Sequence, residues 1–396
     1  MKRWFLLITL LSIGLACVGP VPLPSHPTAA PVTPKGDRVD GAELLYAPNP
    51  PASAQNPAFS PDGQTLLFTL FHEGYNNGPA GLYLLPFAGA VPVALLDEDD
   101  QDSVNLPGSS WSAATNRITC ASDRQDTDEV WTMDASGSDL FRVTHHTAAG
   151  YSIEPSFSPD GQWIAFEANT DAPEDEQQGS IWKVRADGTE LTQLTDGPGG
   201  GTDDRQPNWS PSGDRVLFQR RAPGSDDWDL YTIAPDGTDI RPVTTTSSSD
   251  TDASWSPDGR WTVYSSDYGG LPVPNIFIVP AEGGTPIRVT RDDTHEDGAP
   301  SWSPDGKWIA FESHPGQDED TPASLWRIAV PSSICLPLIL RGFTVSPHGQ
   351  AVVSSQYLGV GGALCLLRSR RTVKSVARRL DRQIQPEQGA TLAPTF

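Results

Sequence analysis

The sequence predicts an all-β protein in which one four-stranded unit is repeated along the chain. Three observations predict it: a short phrase recurs, an apolar run follows most copies, and aromatic residues return at fixed places in each repeat. The phrase reads Phe59-Ser60-Pro61-Asp62-Gly63, then Phe157-Ser158-Pro159-Asp160-Gly161, and later Trp302-Ser303-Pro304-Asp305-Gly306. Internal repeats indicate one closed or stacked array, whereas a length of 396 residues alone would suggest two or three domains.

The spacing of the phrase fits a β-propeller. The serines of its copies are Ser60, Ser112, Ser158, Ser210, Ser256, Ser303 and Ser346, at successive spacings of 52, 46, 52, 46, 47 and 43 residues. These spacings are close to the length of one four-stranded propeller blade. Seven copies favour seven blades, although the copies at Ser112 and Ser346 are degraded. The alternative is six blades followed by a divergent C-terminal extension.

One repeat, residues 253–290, shows how strands and turns alternate. It predicts strands at 253–255, 260–265, 275–279 and 286–290. The turn Pro257-Asp258-Gly259 joins the first two, because proline presets φ for the first turn position and glycine takes the left-handed position without a Cβ clash. A lone strand at 41–46 precedes the first phrase and is a candidate for the outer strand of the last blade, whose other strands would come from residues 343–368.

Aromatic residues recur in the second and third strands of the repeats. Those of the second strand are Phe68, Phe166, Phe218, Tyr264 and Phe311. Because the same places recur in nearly every blade, they predict a core between blades and not a stacking platform for sugars or bases.

The repeat resembles a known family at this point. The words Ala299-Pro300-Ser301-Trp302-Ser303-Pro304-Asp305-Gly306, Arg185-Ala186-Asp187-Gly188 and Arg288-Val289-Thr290 are similar to the TolB-type, WD-like β-propeller repeat, over about residues 42–368. The resemblance implies a rigid disc whose loops and channel mouth bind a protein or peptide. It also supports the six-blade alternative, because TolB propellers have six.

The N-terminal residues predict export. Met1-Lys2-Arg3 is basic, 4–16 is an apolar run too short to span a bilayer, and Cys17 follows a small residue. Residues 1–17 therefore resemble a bacterial lipoprotein signal with Cys17 as the lipidated residue, although Gly14 and Leu15 depart from the usual pattern; plain cleavage is the alternative. Residues 18–38 are a proline-rich linker, 39–370 the propeller, and 371–396 a basic tail expected to be disordered.

Charge and cysteine usage exclude several classes of protein. The net charge of −23 argues against nucleic-acid binding and favours a basic partner. Four scattered cysteines give neither a disulfide framework nor a zinc site, and Cys120 reads as a small buried hydrophobe. Pairing of Cys335 with Cys365 is left open. No G-x-S-x-G nucleophile motif is present, which removes serine-hydrolase chemistry.

Binding is expected at the loop face, around the channel mouth. The loops between second and third strands and between blades hold 29 of the 50 carboxylates. We expect the residues just before the first strands to reach the mouth: Asn56, Glu154, Arg205, Gln206, Asp252 and Asp297. No cofactor is predicted, with calcium at the acidic loops as the alternative.

The function predicted from these observations is that of a monomeric, exported, lipid-anchored and non-enzymatic binding protein of the periplasm or cell surface. The alternative is a metal-dependent propeller lyase acting on a uronate sugar. That alternative needs loop histidines to converge, and His145, His146 and His295 are its candidate ligands.

Overall fold

The computed structural model describes the propeller region with short gaps. The described residues are 38–88, 91–96, 104–105, 111–125, 127–145, 150–169, 178–316, 321–331, 343–345 and 351–353. The predicted signal, the linker up to residue 37 and the basic tail lie outside them, as do Cys17, His146, Cys335 and Cys365.

Six four-stranded antiparallel sheets form the blades in the described residues, and in five of them the strands lie in chain order from the first strand outwards. Blade 1 holds β2–β5 (Ser53–Phe59, Thr65–Phe71, Ala80–Pro86, Val93–Leu96). Blade 2 holds β6–β9 (Val104–Asn105, Arg117–Ser122, Glu129–Asp134, Phe141–Arg142). Blade 3 holds β10–β13 (Tyr151–Phe157, Trp163–Asn169, Ser180–Arg185, Thr192–Gln193). Blade 4 holds β14–β17 (Asp203–Trp209, Val216–Arg221, Trp228–Ile233, Arg241–Pro242) and blade 5 holds β18–β21 (Asp250–Trp255, Trp261–Ser266, Asn275–Pro280, Ile287–Arg288).

The sixth blade joins the two ends of the ring. It takes β22–β24 (His295–Trp302, Trp308–Pro315, Ser324–Ala329) from the end of the propeller and β1 (Glu43–Tyr46) from its start. Strand β1 pairs antiparallel with β24, with Glu43 opposite Arg327. The strand predicted at 41–46 is present and completes the last blade, but it does so beside β22–β24 and not beside strands from residues 343–368.

The favoured number of seven blades is not confirmed, because the described residues form six. The outer place of the sixth sheet is taken by β1, so the ring closes before the seventh phrase is reached. Strands β25 (Phe343–Val345) and β26 (Ala351–Val353) pair only with each other among the described residues, as a two-stranded sheet. This matches the alternative of six blades with a C-terminal extension.

The repeated phrase is a closed hydrogen-bonded turn. In the first copy the Ser60 hydroxyl donates to the Asp62 carboxylate at 2.6 Å and accepts from the Thr65 N–H at 3.0 Å. Gly63 has φ 68°, as the turn prediction requires, and its N–H bonds the Ser60 carbonyl at 2.8 Å. The serine bond lowers the pKa of the Asp62 carboxyl, because the hydroxyl stabilises the ionised form.

The core lies between neighbouring blades. The second-strand aromatics predicted to form it are all buried, namely Phe68, Phe166, Phe218, Tyr264 and Phe311. Each packs with apolar residues of the next or preceding blade; Phe311, for example, lies in one cluster with Val263 and Ile276 of blade 5. Cys120 is buried in the same way between blades 1 and 2, as predicted.

The antiparallel topology separates two faces. The phrase turns join first to second strands at one end, which we call the turn face. The connections between second and third strands, such as 72–79, lie at the other end, which we call the loop face. No helix in the described part of the chain is long and apolar enough to cross a membrane.

Candidate functional site

The first strands of five blades share a bulge with a left-handed residue. Pairing with the second strand shifts register between residues 55 and 58, and at the matching places in blades 3, 4, 5 and 6. The residues at the bulges are Asn56, Glu154, Gln206, Asp252 and Ala299, with φ of 52°, 54°, 53°, 55° and 44°. A non-glycine residue in this region is uncommon, and such strain concentrates at functional sites.

Four of the predicted mouth residues therefore occupy one equivalent position, but inside the strands and not just before them. Asp297 does not share that position. The residue of blade 6 that does is Ala299, and Asp297 lies two places earlier, opposite Ser313.

The second-strand residue opposite the start of each bulge is polar in the same five blades. These residues are Thr69, Glu167, Gln219, Ser265 and Glu312. Sequence reasoning missed Glu167 and Glu312. Their signal is a charged residue directly after the buried aromatic, in Trp163-Ile164-Ala165-Phe166-Glu167 and again in Trp308-Ile309-Ala310-Phe311-Glu312.

Hydrogen bonds connect the bulge residues and the second-strand polar residues of one blade with those of the next. The Asn56 N–H of blade 1 donates to Glu312 Oε2 of blade 6 at 2.7 Å. The Asp252 N–H of blade 5 lies 3.1 Å from both Gln206 Oε1 and Gln219 Oε1 of blade 4. The Gln206 amide in turn donates to Glu154 Oε1 of blade 3 at 3.3 Å. These contacts hold the polar groups in place around the central axis of the propeller, where the first strands of neighbouring blades meet.

Four acidic side chains gather there, and we call Glu154, Glu167, Asp252 and Glu312 the channel carboxyl cluster. Glu154, Glu167 and Glu312 are 9%, 1% and 4% exposed, and Asp252 is half-buried. A Cβ placed on Gly298 would stand 3.6 Å from Glu312 Oε1 and 3.7 Å from Asp252 Oδ2, so this glycine leaves a space beside the two carboxyls.

Burial shifts the protonation of the cluster. It raises the pKa of Glu312 to about 7, against the bonds donated by Asn56 and Tyr75. It raises the pKa of Glu154 well above its usual range, and the adjacent Glu167 carboxyl raises it further. Burial also raises the pKa values of Glu167 and Asp252. Taking a carboxylate out of water disfavours its charged form, so burial favours the protonated form of these four carboxyls.

The loop 72–79 of blade 1 covers one side of the cluster. The Tyr75 hydroxyl donates to Glu312 Oε1 at 2.8 Å, and its ring packs against His314 with centroids 4.7 Å apart. The charge of Glu312 raises the pKa of Tyr75, which keeps the phenol a donor. This loop belongs to the loop face, so Tyr75 connects that face with the cluster.

Arg205 stands beside the cluster among other charged groups. Its guanidinium bonds Asp203 at 2.9 Å and lies 3.9 Å from Glu167 Oε1. Arg221 binds the same Asp203 at 2.9 Å, and both guanidinium groups lie over the Trp228 ring, at 5.3 and 5.0 Å from its centroid. Arg205 is thus accompanied by a second guanidinium group, that of Arg221.

Asp297 forms an ion pair with Arg38 and is not part of the channel carboxyl cluster. Arg38, just before β1, bonds its two carboxylate oxygens at 2.7 Å each, and the two side chains are 5% and 0% exposed. Arg38 also bonds Ser313 and Asp40 at 3.0 Å. This pair fixes the segment before β1 to blade 6.

The candidate metal-ligand histidines do not meet in the described residues. His145 is exposed after the outer strand of blade 2, whereas His295 bonds Thr294 at 3.0 Å and lies 3.1 Å from Asp292 in blade 6. Across the described ranges, no group of three or more histidine, cysteine, aspartate or glutamate side chains could hold a metal ion.

Two cavities lie at the turn face. The larger, about 410 Å³, lies between blades 4 and 5, where Arg215 and Arg241 are both paired with Asp239. The other, about 310 Å³, is lined by prolines of the phrase and by aromatic residues such as Trp209 and Trp302. Their lining is the turn chemistry repeated in each blade.

Comparison with known proteins identifies the repeat. The TolB beta propeller domain matches residues 46–228 and 204–375. An uncharacterized protein of Agrobacterium fabrum is 32% identical over 161 residues, 40% of this chain and 48% of that protein. The chain thus spans about half the length of this curated relative.

Solved structures show the same fold. A TolB-type structure from Agrobacterium tumefaciens covers 71% of this chain and 91% of its own, with TM-score 0.51 and 21% identity. An oligogalacturonate lyase from Vibrio parahaemolyticus covers 73% and 93%, with TM-score 0.49 and 14% identity, too distant to inform function. Because the family matches well over half of the sequence, the chain belongs to the TolB beta propeller domain family.

Proposed function

We propose that the protein is an exported, non-enzymatic propeller that binds a protein or peptide partner at the channel mouth of its loop face. The observation that carries the proposal is the channel carboxyl cluster. Two of its acidic residues are left-handed bulge residues, and the other two lie opposite bulges at equivalent places of other blades. Rigid scaffolds that hold a few polar groups in fixed positions are typical binding platforms. The partner is basic at its contact, since the chain has a net charge of −23.

The N-terminal segment supplies the location in this proposal. Cys17 carries the lipid, the proline-rich residues 18–37 hold the propeller away from the membrane, and the propeller acts as a monomer in the periplasm or at the cell surface. The support for this is the pattern of residues 1–17 and the proline content of the linker.

Partner capture from a cell-envelope extract tests the function, with the full chain as bait. Asp252→Lys reverses the charge of the half-buried member of the cluster, and Glu282→Lys reverses an exposed charge on the turn face as a control. We expect a partner that is retained by the wild type and by the Glu282 variant, but lost with Asp252→Lys and at high salt. If the partner is still captured with Asp252→Lys and at high salt, a partner site at the channel mouth is contradicted.

The metal-dependent lyase remains the second prediction, and elemental analysis separates the two. A lyase of this kind would purify with a transition metal that is lost in a His145→Ala, His146→Ala and His295→Ala variant. Calcium at the acidic loops would show as a rise in Tm on adding calcium that no change of histidine removes.

A further inference from the structure

Two buried oxygen atoms of the channel carboxyl cluster have no hydrogen-bond donor. They are Oε2 of Glu154 and Oε2 of Glu167, and neither finds a partner among the described residues. Buried polar atoms are nearly always bonded, and each exception asks for an explanation such as a ligand. These oxygens belong to side chains that are 9% and 1% exposed, so water reaches them poorly. Within the described residues, the bond open to them is a proton shared between the two carboxyls; any other donor comes from outside the chain.

We propose that the channel carboxyl cluster receives the ammonium group of a lysine side chain from the partner, in exchange for a proton held between Glu154 and Glu167. This inference rests on the proposed function and names the chemistry of its contact. The partner's ammonium donates to the two unbonded oxygens, and the displaced proton leaves to solvent.

The shape of the site favours a primary ammonium. A lysine ammonium is a compact group with three donors on a flexible stem, whereas arginine presents a planar fork that needs a wider opening. The approach runs past Asp252, which is half-buried, and past the space beside Gly298. Asp252 and the carbonyl groups of the bulges then surround the stem.

The surrounding charges favour the exchange. The charged and titratable groups that face the cluster are Tyr75, Tyr151, Asp203, Arg205, Glu296 and His314. Arg205 is the nearest cation, and it is already bonded to Asp203. Little positive charge therefore lies near the four carboxyls. Burial raises their pKa values and so favours their protonated forms, and a cation that enters the cluster can take the place of such a proton.

Titration of the full chain with Nα-acetyl-lysine methylamide tests the proposal, by NMR or calorimetry at pH 6 and pH 8. We expect binding that tightens with pH, by about tenfold per pH unit for each displaced proton, and proton release that matches this slope. Nα-acetyl-norleucine methylamide, which lacks the charge, should not bind. Glycinamide serves as the probe for a chain N-terminus, and calcium chloride as the probe for a metal.

Three variants locate the binding. Glu154→Gln keeps the size of the side chain and should weaken the lysine probe at least about tenfold at pH 8. Gly298→Val fills the space beside Asp252 and Glu312 and should also abolish binding, while Glu282→Gln on the turn face should leave it unchanged. Equal Tm values for the wild type and each variant show that the fold is intact.

Several outcomes would overturn the inference. They are no lysine binding at pH 8, equal binding of glycinamide, equal binding of calcium, or binding that survives both Glu154→Gln and Gly298→Val. If the partner is captured normally by Glu154→Gln, the lysine inference fails and the proposed function stands. If the lysine probe binds as expected but no partner is captured, the proposed function fails instead.

Discussion

Replacing Arg38 with methionine tests whether the segment before β1 belongs to the fold. The Arg38 guanidinium and the Asp297 carboxylate are almost fully buried and share two bonds of 2.7 Å. Removing one partner of such a pair leaves an uncompensated buried charge and costs about 3–5 kcal/mol. Methionine keeps part of the contact with the rings of Phe311 and Trp326, so the loss reports mainly the charge.

The loss should depend on pH, and its sign follows from Asp297. Burial raises the pKa of this carboxyl above its unfolded value, and Arg38 opposes that rise. Without Arg38 the folded-state pKa of Asp297 rises further, so the folded variant binds more protons than the unfolded chain. Its stability is therefore best at acid pH and falls as pH rises through the new pKa. We expect little difference from wild type near pH 4 and the full loss at pH 8.

Urea denaturation followed by tryptophan fluorescence measures the effect. A second charge removal, in Arg38→Met with Asp297→Asn, should recover most of the stability, because no buried charge remains. Arg117→Met is the matched control: its pair with Asp139 is equally short at 2.6 Å, but Asp139 is 73% exposed, and the cost should be about 0–1 kcal/mol. The reasoning fails if Arg38→Met lies within 1 kcal/mol of wild type at pH 8, or if the double variant is no better than the single one.

Three further predictions concern the turns and the cluster. Gly259→Val should lower the unfolding free energy by about 1–3 kcal/mol, since Gly259 has φ 68° and a Cβ there would meet only Pro211 Cδ at an ordinary contact of 3.8 Å, whereas Gly199→Val should cost less because φ is not left-handed there; unchanged Tm in the first variant would contradict the turn. Ser256→Ala should cost about 1–2 kcal/mol in urea denaturation, because the hydroxyl bonds both the Asp258 carboxylate and the Trp261 N–H. The raised pKa of Glu312, about 7, should make the contribution of this group to wild-type stability fall by up to about 3 kcal/mol between pH 4.5 and 7, so Glu312→Gln should reduce the pH slope; equal slopes in the two proteins would refute it.

Local features of the fold could be predicted because their physics is local. The strand limits of residues 253–290 were predicted within a few residues, and Gly63, Gly161 and Gly259 have the left-handed φ that the turn requires. The number of blades is not a local property. It depends on which strand fills the outer place beside β24, and residues 43–46 take it from the far end of the sequence.

The site was predicted only in part, for a related reason. Asn56, Glu154, Gln206 and Asp252 lie at equivalent bulges, and spacing from the phrase is enough to find them. Glu167 and Glu312 lie in strands buried on both faces, where alternation of polar and apolar residues gives no orientation. Only the pairing of these strands with the bulges shows that both carboxyls face the same axis.

The pairing of β1 with β24 has a consequence for folding order. The ion pair of Glu43 with Arg327 joins residues 284 positions apart, so a chain that appears N-terminus first holds β1 without its partner until almost the whole propeller has emerged. Contacts of such long range slow folding, because the loop must close before they form. The blades between them can build up in sequence, but the ring gains its last sheet only when both ends are present. Removal of β1 should therefore leave β24 with an unpaired edge.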